Sequence, residues 1–343
     1  MSKTRLALIG AGVIGKRHLA ALAQVTCVEL VAIADPNPAS QNEAKVLGVP
    51  FFGDSRSLLE ACEPDGVIVA TPTEHHLKPT LTALEMGAHV LVEKPIMATL
   101  DECEQTIAMS RKTGRHVLVG HHRRYYGLVN QARDLILQGE LGQLVGLVGQ
   151  WNVRKHDEYY SPEWRRKWQA GPILTNLIHD MDLLRYIAGD IASISAETSN
   201  AVLGFEKEDA AAMVLRFKNG ALGTFLLSDQ THSPWSWEQA TGENAAFPFS
   251  GQNALHFMGT EGSLEFPKLK LWSSDAKPEW RTPLKARELV GAMEDAFINQ
   301  INHFDQVIQG RAEPRISAQD ATDTLRATLA VYEAAKSGRR IDL

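Results

Sequence analysis

The chain has 343 residues, of which 44% are hydrophobic and 22% charged, and its formal net charge is -6 at pH 7. This length accommodates two domains with sizeable cores, and the composition is that of an ordinary globular protein. The net charge argues against a nucleic-acid partner. No apolar run reaches the roughly eighteen residues that a membrane helix requires.

The three cysteines are too few and too widely spaced for a disulfide framework or a zinc site. They are Cys27, Cys62 and Cys103. We therefore expect a reducing, cytoplasmic setting and no metal. Residues 3–9 share features with a secretory signal, but the charged residues Lys16 and Arg17 interrupt the apolar stretch, which argues against that alternative.

The start of the chain predicts a strand, a tight turn and a helix. An apolar run at residues 6–9 leads into the glycine-rich stretch 10–15, and helix-compatible residues follow at 16–23. This arrangement is typical of dinucleotide-binding domains.

Each glycine of the turn has a separate expected role. Gly10 permits the turn, Gly12 lets a pyrophosphate approach the backbone, and Gly15 lets the helix pack on the strand. Val13 and Ile14 begin the helix, whose free N–H groups would face the phosphates. We expect all five residues to contact the cofactor.

A second apolar run, residues 30–34, ends in Asp35, twenty positions after Gly15. A carboxylate there would accept hydrogen bonds from the adenosine ribose hydroxyls and would repel a 2′-phosphate. We therefore predict NAD as the cofactor in preference to NADP.

Up to about residue 124, apolar runs alternate with helical patterns, which predicts a doubly wound parallel sheet covered on both faces. Further strands are predicted at 66–70, 89–92 and 116–120, and helices near 38–48, 54–62, 76–87 and 99–113. Ligands of such sheets lie beyond the carboxyl ends of the strands. Those ends are followed by polar residues, namely Thr71, Pro72 and His76; Glu93, Lys94 and Pro95; and His121, His122, Arg123 and Arg124.

The second half of the chain predicts an α+β domain with a largely antiparallel sheet. Strands are expected at 144–153, 191–199, 211–217, 221–227, 253–259, 262–266 and 269–273, and helices near 127–138, 286–309 and 317–337. Lys218-Asn219-Gly220 is a strong hairpin signal. The stretch 231–251 has no periodicity, which predicts a long functional loop. This loop, which contains Trp235, Trp237 and Glu238, would stack on a sugar ring or, alternatively, pack on a neighbouring subunit.

A predicted helix at 174–184 places His179 on a polar face. At about 100° per residue, the apolar residues fall on one side of this helix. The opposite side carries Thr175, His179 and Asp182, with Asn176 beside them. A histidine in this position is either a solvated helix residue or a proton-transfer group near neutral pH.

Taken in order, these residues resemble the Gfo/Idh/MocA oxidoreductases, which include inositol dehydrogenase and glucose-fructose oxidoreductase. The resemblance covers nearly the whole chain and rests on residues 10–15, 71–76, 93–95, 179–182 and 259–264. It implies an NAD-binding Rossmann domain over residues 1–124 and an α+β domain over residues 125–343. The open, mainly antiparallel sheet of the latter implies a homodimer or homotetramer, and its C-terminal helix would pack back on the Rossmann domain.

The resemblance also implies hydride transfer between a nicotinamide and a carbinol carbon of a sugar, polyol, cyclitol or related hydroxy compound. Lys94 would bind the reacting oxygen, and His179 would act as the general acid/base. A fixed ammonium at that oxygen would stabilise alkoxide character in the transition state. The residues that would line the cofactor are Thr71, Pro72, His76, Glu93 and Lys94.

The sequence departs from the family at Thr175, where many members carry an aspartate four residues before the histidine. A threonine supplies neither a second base nor an orienting charge. We expect Lys94 and His179 to be the catalytic set, with Thr175 and Asn176 as substrate ligands. Orientation of the imidazole by Asp182 is the alternative.

Further candidate substrate ligands are His122, Arg124, Asn152, Trp164 and Arg165. The basic group 154–167, which contains Arg154, Lys155, Arg165, Arg166 and Lys167, indicates either a site for a carboxylate-bearing substrate or a solvated face. We favour the solvated face because three acidic residues interleave with it. Two alternative functions stay open, a non-catalytic sugar or dinucleotide sensor and an NAD-dependent glycoside hydrolase.

Overall fold

In the computed structural model, which describes residues 2–343, the N-terminal part alternates strands with helices as the sequence predicts. The strands are β1 (Thr4–Ile9), β2 (Val28–Ala34), β3 (Phe51–Phe52), β4 (Gly66–Val69), β5 (His89–Val92) and β6 (Val117–Val119). The helices are α1 (Val13–Leu22), α2 (Gln41–Leu47), α3 (Ser55–Cys62), α4 (Leu77–Glu85) and α5 (Leu100–Thr113).

These strands form one parallel sheet in the order β3-β2-β1-β4-β5-β6. Every residue of β4, β5 and β6 is buried, which explains why their sequences are apolar without alternation. The strand order reverses between β1 and β4, and the carboxyl ends of both strands therefore flank the crevice in which such sheets bind ligands.

A segment from late in the chain completes this first unit, which consists of residues up to Tyr125 together with Asp295–Leu325. Its main element is α9 (Ala296–Ile308), whose residues Phe297, Ile301 and Phe304 belong to the core under the sheet. Gly66 has no side chain because a Cβ there would lie 2.9 Å from the Phe304 ring. The sequence placed this segment in the second domain.

The second unit comprises Tyr126–Glu294 and Arg326–Leu343 and contains a nine-stranded sheet. Its strands are β7 (Leu144–Asn152), β8 (Ile191–Ser199), β9 (Ala210–Phe217), β10 (Leu222–Ser228), β11 (Leu255–Gly259), β12 (Gly262–Phe266), β13 (Lys270–Ser273), β14 (Lys285–Glu288) and β15 (Ile341–Asp342). The remaining helices are α6 (Gly127–Leu137), α7 (Ile178–Ala188), α8 (Trp237–Thr241) and α10 (Ala318–Ser337), the last of which runs through the boundary between the two units.

The sheet of the second unit is mixed, in the order β14-β13-β12-β11-β7-β10-β9-β8-β15. All neighbouring pairs are antiparallel except β7 and β10, which are parallel. The predicted hairpin joins β9 to β10, and Gly220 adopts a φ of +93° in its turn. Mainly antiparallel pairing is therefore confirmed.

Two sequence predictions in this half are wrong. The helix expected at 286–309 begins only at Ala296, where the Asp295 carboxylate caps it, and residues 285–288 instead extend the sheet edge as β14. The stretch 231–251 is not wholly a loop, because Ser236 caps the short helix α8. Such caps supply hydrogen bonds to N–H groups that have no partner inside the helix.

No helix within residues 2–343 combines the length and the apolar character needed to cross a lipid bilayer. Over the same residues, no cluster of three or more His, Cys, Asp or Glu side chains is arranged to hold a metal ion.

We expect Phe304→Ala to lower the free energy of unfolding of the first unit by about 3–5 kcal/mol, because it removes a fully buried ring and leaves a cavity. Urea denaturation followed by circular dichroism measures the change. Phe249→Ala is the control, since that ring is 71% exposed, and its midpoint should not move. Equal midpoints for both variants would contradict the assignment of α9 to this core.

Candidate functional site

The turn between β1 and α1 is formed by close backbone contacts. Gly10 has a φ of +94°, and a Cβ at this position would lie 2.7 Å from the backbone of Ala70 and of Thr71 at the end of β4. A Cβ on Gly15 would lie 2.1 Å from the carbonyl oxygen of Gly10. Both positions therefore require glycine, because any side chain would force α1 away from the strands.

Gly12, in contrast, borders open space, because a Cβ there would meet no atom within 4 Å. It caps α1, and the first helical residues, Val13 and Ile14, are exposed with 86% and 41% of their surfaces accessible. Free N–H groups, an open backbone and exposed apolar side chains together form a cradle that fits the pyrophosphate of a dinucleotide.

Asp35 directly follows β2 and is fixed beside this cradle. One carboxylate oxygen accepts a hydrogen bond from the N–H of Ala11 at 2.7 Å, and the other accepts one from the N–H of Asn37 at 2.7 Å. The Thr71 hydroxyl, at the end of β4, is buried and has no hydrogen-bond partner among residues 2–343. Asp35 and Thr71, which the sequence predicts as cofactor ligands, thus follow the carboxyl ends of β2 and β4.

His76 holds together the loops that follow β4 and β5. Its Nε2 lies 2.9 Å from the Thr71 carbonyl oxygen, and its Nδ1 lies 3.0 Å from that of Pro95. Burial lowers the pKa of His76, and the contacts with backbone carbonyls oppose this effect only in part. The ring is 1% exposed, and its contacts connect the two loops. A role of His76 in lining the cofactor stays a prediction.

Glu93 is likewise engaged inside the first unit. Its carboxylate lies 2.8 Å from Nε2 of His18, a fully buried residue of α1. Burial raises the pKa of Glu93, but the hydrogen bond with His18 and nearby positive charges outweigh it and lower the pKa below its ordinary value. This contact fixes the end of β5, and Lys94 is the next residue along the chain.

In the second unit, the helix that carries His179 does not begin as an α-helix. Residues Ile173–Leu177 form a π-helical turn, and α7 follows from Ile178. Such turns are uncommon and frequently occur at functional sites. The uniform 100° spacing assumed from the sequence is therefore wrong for this segment.

One residue that the sequence predicts on the polar face of this helix is buried instead. Thr175, Asn176 and His179 are partly exposed, whereas Asp182 is buried and 1% exposed. The Thr175 hydroxyl donates to the Gly171 carbonyl at 3.0 Å and contacts the Asn176 side-chain oxygen at 2.9 Å. Thr175, Asn176 and His179 thus form the accessible face of the helix.

A buried polar network, which the sequence did not reveal, borders this face. Asp229 accepts hydrogen bonds from Lys207 Nζ and from the Tyr160 hydroxyl, both at 2.9 Å. Lys155 Nζ lies 3.5 Å from the same carboxylate and 3.1 Å from the Asn176 side-chain oxygen. Charged residues are normally exposed, so only the fold shows that Lys207 and Asp229 are buried.

Two of the nominated substrate ligands are buried within their own units. Arg124 is 3% exposed, and its guanidinium pairs with the carboxylate of Asp320. Asn152 is 3% exposed at the end of β7, where its amide donates to the Gln150 side chain at 3.1 Å. Both side chains are therefore engaged inside their units, and their roles as substrate ligands stay predictions.

The other nominated residues are more accessible. His122 stacks on Phe297 with ring centroids 5.1 Å apart. Trp164 is 61% exposed, and the neighbouring Arg165 lies over the Tyr159 ring at 4.2 Å.

Trp237 cannot stack on a sugar. Its ring is 3% exposed and stacks on Phe266 in the core of the second unit, 5.9 Å away. The Glu238 carboxylate accepts a hydrogen bond from the indole N–H of Trp151 at 2.8 Å. Only Trp235, which is 42% exposed, keeps an accessible ring among the residues nominated in this stretch.

The first unit therefore has the glycine turn, the fixed acid and the switch-point crevice that define a dinucleotide-binding Rossmann domain. Residues 4–121 match the family model described as "Oxidoreductase family, NAD-binding Rossmann fold", and residues 129–265 match the "GFO/IDH/MocA C-terminal domain". The chain belongs to the Gfo/Idh/MocA family and is an NAD-binding oxidoreductase.

Known proteins resemble the chain over almost its full length. It is 27% identical to the rhizopine catabolism protein MocA of Rhizobium meliloti, and the alignment covers 98% of this chain and 95% of the relative. It is 25% identical to scyllo-inositol 2-dehydrogenase (NAD(+)) of Bacillus subtilis, and that alignment covers 99% of this chain and 96% of the relative. An oxidoreductase from Agrobacterium radiobacter, crystallised with NAD+, L-tartaric acid and magnesium, shares the fold with a TM-score of 0.84 at 19% identity, covering 99% and 98%.

We expect Gly12→Val to weaken NADH binding by about tenfold or more while the melting temperature stays unchanged, because the new side chain enters open space needed by the pyrophosphate. Gly15→Val should instead lower the melting temperature, since its side chain meets the Gly10 carbonyl. Fluorescence titration with NADH and thermal denaturation measure the two effects. Tight NADH binding by Gly12→Val would refute the assignment of the cradle.

Proposed function

We propose that this enzyme transfers a hydride between NAD and a carbinol carbon of a sugar, polyol, cyclitol or related hydroxy compound. Lys94 binds the reacting oxygen, and His179 is the general acid/base. The observation that carries the proposal is the position of Lys94 immediately after β5, the strand next to β4, beyond the carboxyl edge that carries the NAD cradle. One relative supports the substrate class, since its name specifies a scyllo-inositol 2-dehydrogenase that uses NAD.

The surroundings of Lys94 favour a role that needs a fixed position. The carboxylate of Glu93 accepts the backbone N–H of Lys94 at 3.2 Å, and His76 contacts the carbonyl of Pro95, the following residue. Both neighbours are themselves buried. These contacts fix the backbone at Lys94, which limits the region in which its ammonium can stabilise a developing alkoxide.

His179 can accept the hydroxyl proton that an alcohol loses when it is oxidised. Oxidation of an alcohol breaks the carbinol C–H and O–H bonds, and NAD, when bound, would supply the hydride acceptor. The hydroxyl proton passes to the imidazole, and a carbonyl group forms. Histidine exchanges protons near neutral pH, and His179 lies on the accessible face of its helix.

Lys94→Ala is expected to lower kcat by about 10²- to 10³-fold, and His179→Ala by about 10²- to 10⁴-fold, with NADH affinity changed little in either variant. Formation of NADH at 340 nm across a panel of sugars, polyols and cyclitols measures the rates. Lys112→Ala, on the exposed end of α5, is the matched control for loss of a lysine. Full activity of either catalytic-site variant would remove that residue from the proposal.

We further infer that copies of the chain associate through the exposed face of the nine-stranded sheet. Several apolar side chains on this face are about half exposed, namely Val145, Val148, Val214, Leu222 and Leu226. A cluster of this kind on β7, β9 and β10 is typical of a surface covered in an oligomer.

Val214→Lys combined with Leu226→Lys should convert the oligomer to a monomer, because paired apolar faces cannot accommodate the added charges. Analytical ultracentrifugation gives the molecular mass in each case. Val202→Lys, at an exposed apolar residue outside the strands, should leave the mass unchanged. A wild-type chain that sediments as a monomer would overturn the inference.

A further inference from the structure

We propose that Lys155 and Arg165 form an anion subsite for the carboxylate of the substrate, so that the preferred substrate is a hydroxy acid of the sugar-acid type. The inference rests on the proposed function, because it assigns the substrate class of the same site. Its residues all belong to the second unit.

Lys155 is placed beside the accessible face of the catalytic helix. Its side chain is 13% exposed, and its Nζ lies 3.1 Å from the side-chain oxygen of Asn176. Asn176 and His179 both lie on that accessible face, as partly exposed residues. An anion held by Lys155 would therefore lie close to the group that exchanges the proton.

The positive charge at Lys155 is only partly compensated. Its one ion-pair partner within residues 2–343 is Asp229, and that carboxylate also binds the ammonium of Lys207 at 2.9 Å and the hydroxyl of Tyr160. One carboxylate thus serves two largely buried ammonium groups. Glu208 is a second carboxyl group that interacts with Lys155, and burial raises its pKa.

The pKa of Lys155 agrees with this charge balance. Burial lowers it to about 8, and attraction to Asp229 opposes that effect while repulsion from Lys207 adds to it. A bound carboxylate would supply the missing negative charge and would favour the protonated amine.

Arg165 contacts the same tyrosine ring as Lys155. Its guanidinium lies 4.2 Å from the centre of the Tyr159 ring, and Lys155 Nζ lies 4.7 Å from the centre of that ring. Arg165 donates one hydrogen bond to the Tyr159 carbonyl at 2.9 Å, and its Nε is buried without a partner among residues 2–343. Guanidinium groups bind carboxylates through two parallel hydrogen bonds.

The rest of the basic group behaves as the solvated face that the sequence favours. Lys167 is 48% exposed and pairs with Glu163 and Glu206 on the surface. Arg166 donates to the Tyr160 carbonyl at 2.8 Å. The cluster therefore divides into a solvated part and a subsite part, which the sequence alone does not distinguish.

The proposed subsite selects substrates that carry both a carbinol group and a carboxylate. Aldonic acids, uronic acids and short hydroxy acids meet this requirement.

The test compares acids with their neutral counterparts, using D-gluconate and D-glucitol, D-glucuronate and D-glucose, and D-glycerate and glycerol. The wild-type enzyme should prefer an acid over its counterpart. Lys155→Met should reduce kcat/KM for that acid by about 10- to 100-fold, the loss expected for a charge-assisted hydrogen bond. Its effect on the neutral counterpart should be less than about threefold, and Lys155→Arg should retain most of the preference for the acid. Lys155→Gln, which keeps a donor for Asp229, replaces the methionine variant if that variant does not fold.

Calorimetric binding of the same compounds to the NADH complex gives a second readout. Lys167→Met, which removes an exposed lysine from the same group, is the control and should bind like the wild type. If no compound is oxidised although NADH binds, the proposed function fails. Calorimetry then still shows whether the subsite binds acids in preference to their neutral counterparts. Equal binding of acids and neutral counterparts by the wild type, or an equal loss of both in Lys155→Met, overturns the subsite.

Discussion

The approach of α1 to the end of β1 is the constraint on which the cofactor site depends. Gly15 lies against the carbonyl of Gly10, and Gly10 lies against the backbone at the end of β4. These contacts leave room for no side chain, so the amino end of the helix is held beside the switch point of the sheet. The buried contact between His18 and Glu93 then connects the same helix to β5, and thus to the residue before Lys94. A ligand cradle and a candidate catalytic lysine consequently share one rigid support.

Much of this arrangement could be predicted from the sequence because it depends on local signals. Glycine spacing, continuous apolar strands and the acid at position 35 each follow from short-range stereochemistry, and the family models match both halves of the chain. Helix α9 was placed ten residues too early because its true start depends on one capping aspartate, and the preceding charged stretch pairs with β13 instead. Pairing partners of an edge strand are distant in sequence and leave no local pattern.

The candidate substrate residues were harder to predict for a related reason. Lys155 and Arg165 could not be separated from Arg166 and Lys167, since charge and spacing are alike and only burial distinguishes them. Helical spacing predicts Asp182 on the same face as His179, but spacing does not show which part of α7 the rest of the fold covers, and Asp182 is buried. Arg124 and Trp237 have the chemical character of ligands, but the fold uses them for an internal ion pair and for the core.

The return of residues 295–325 to the first unit has a consequence for biosynthesis. A ribosome that has translated only the first 125 residues has not yet made Phe304 or Ile301, so the part of the core that α9 supplies under β1 and β4 is missing. The Rossmann unit cannot complete its core during early translation, although its sheet is encoded first. Until α9 has been synthesised, the emerging chain exposes apolar surface of the kind that promotes aggregation.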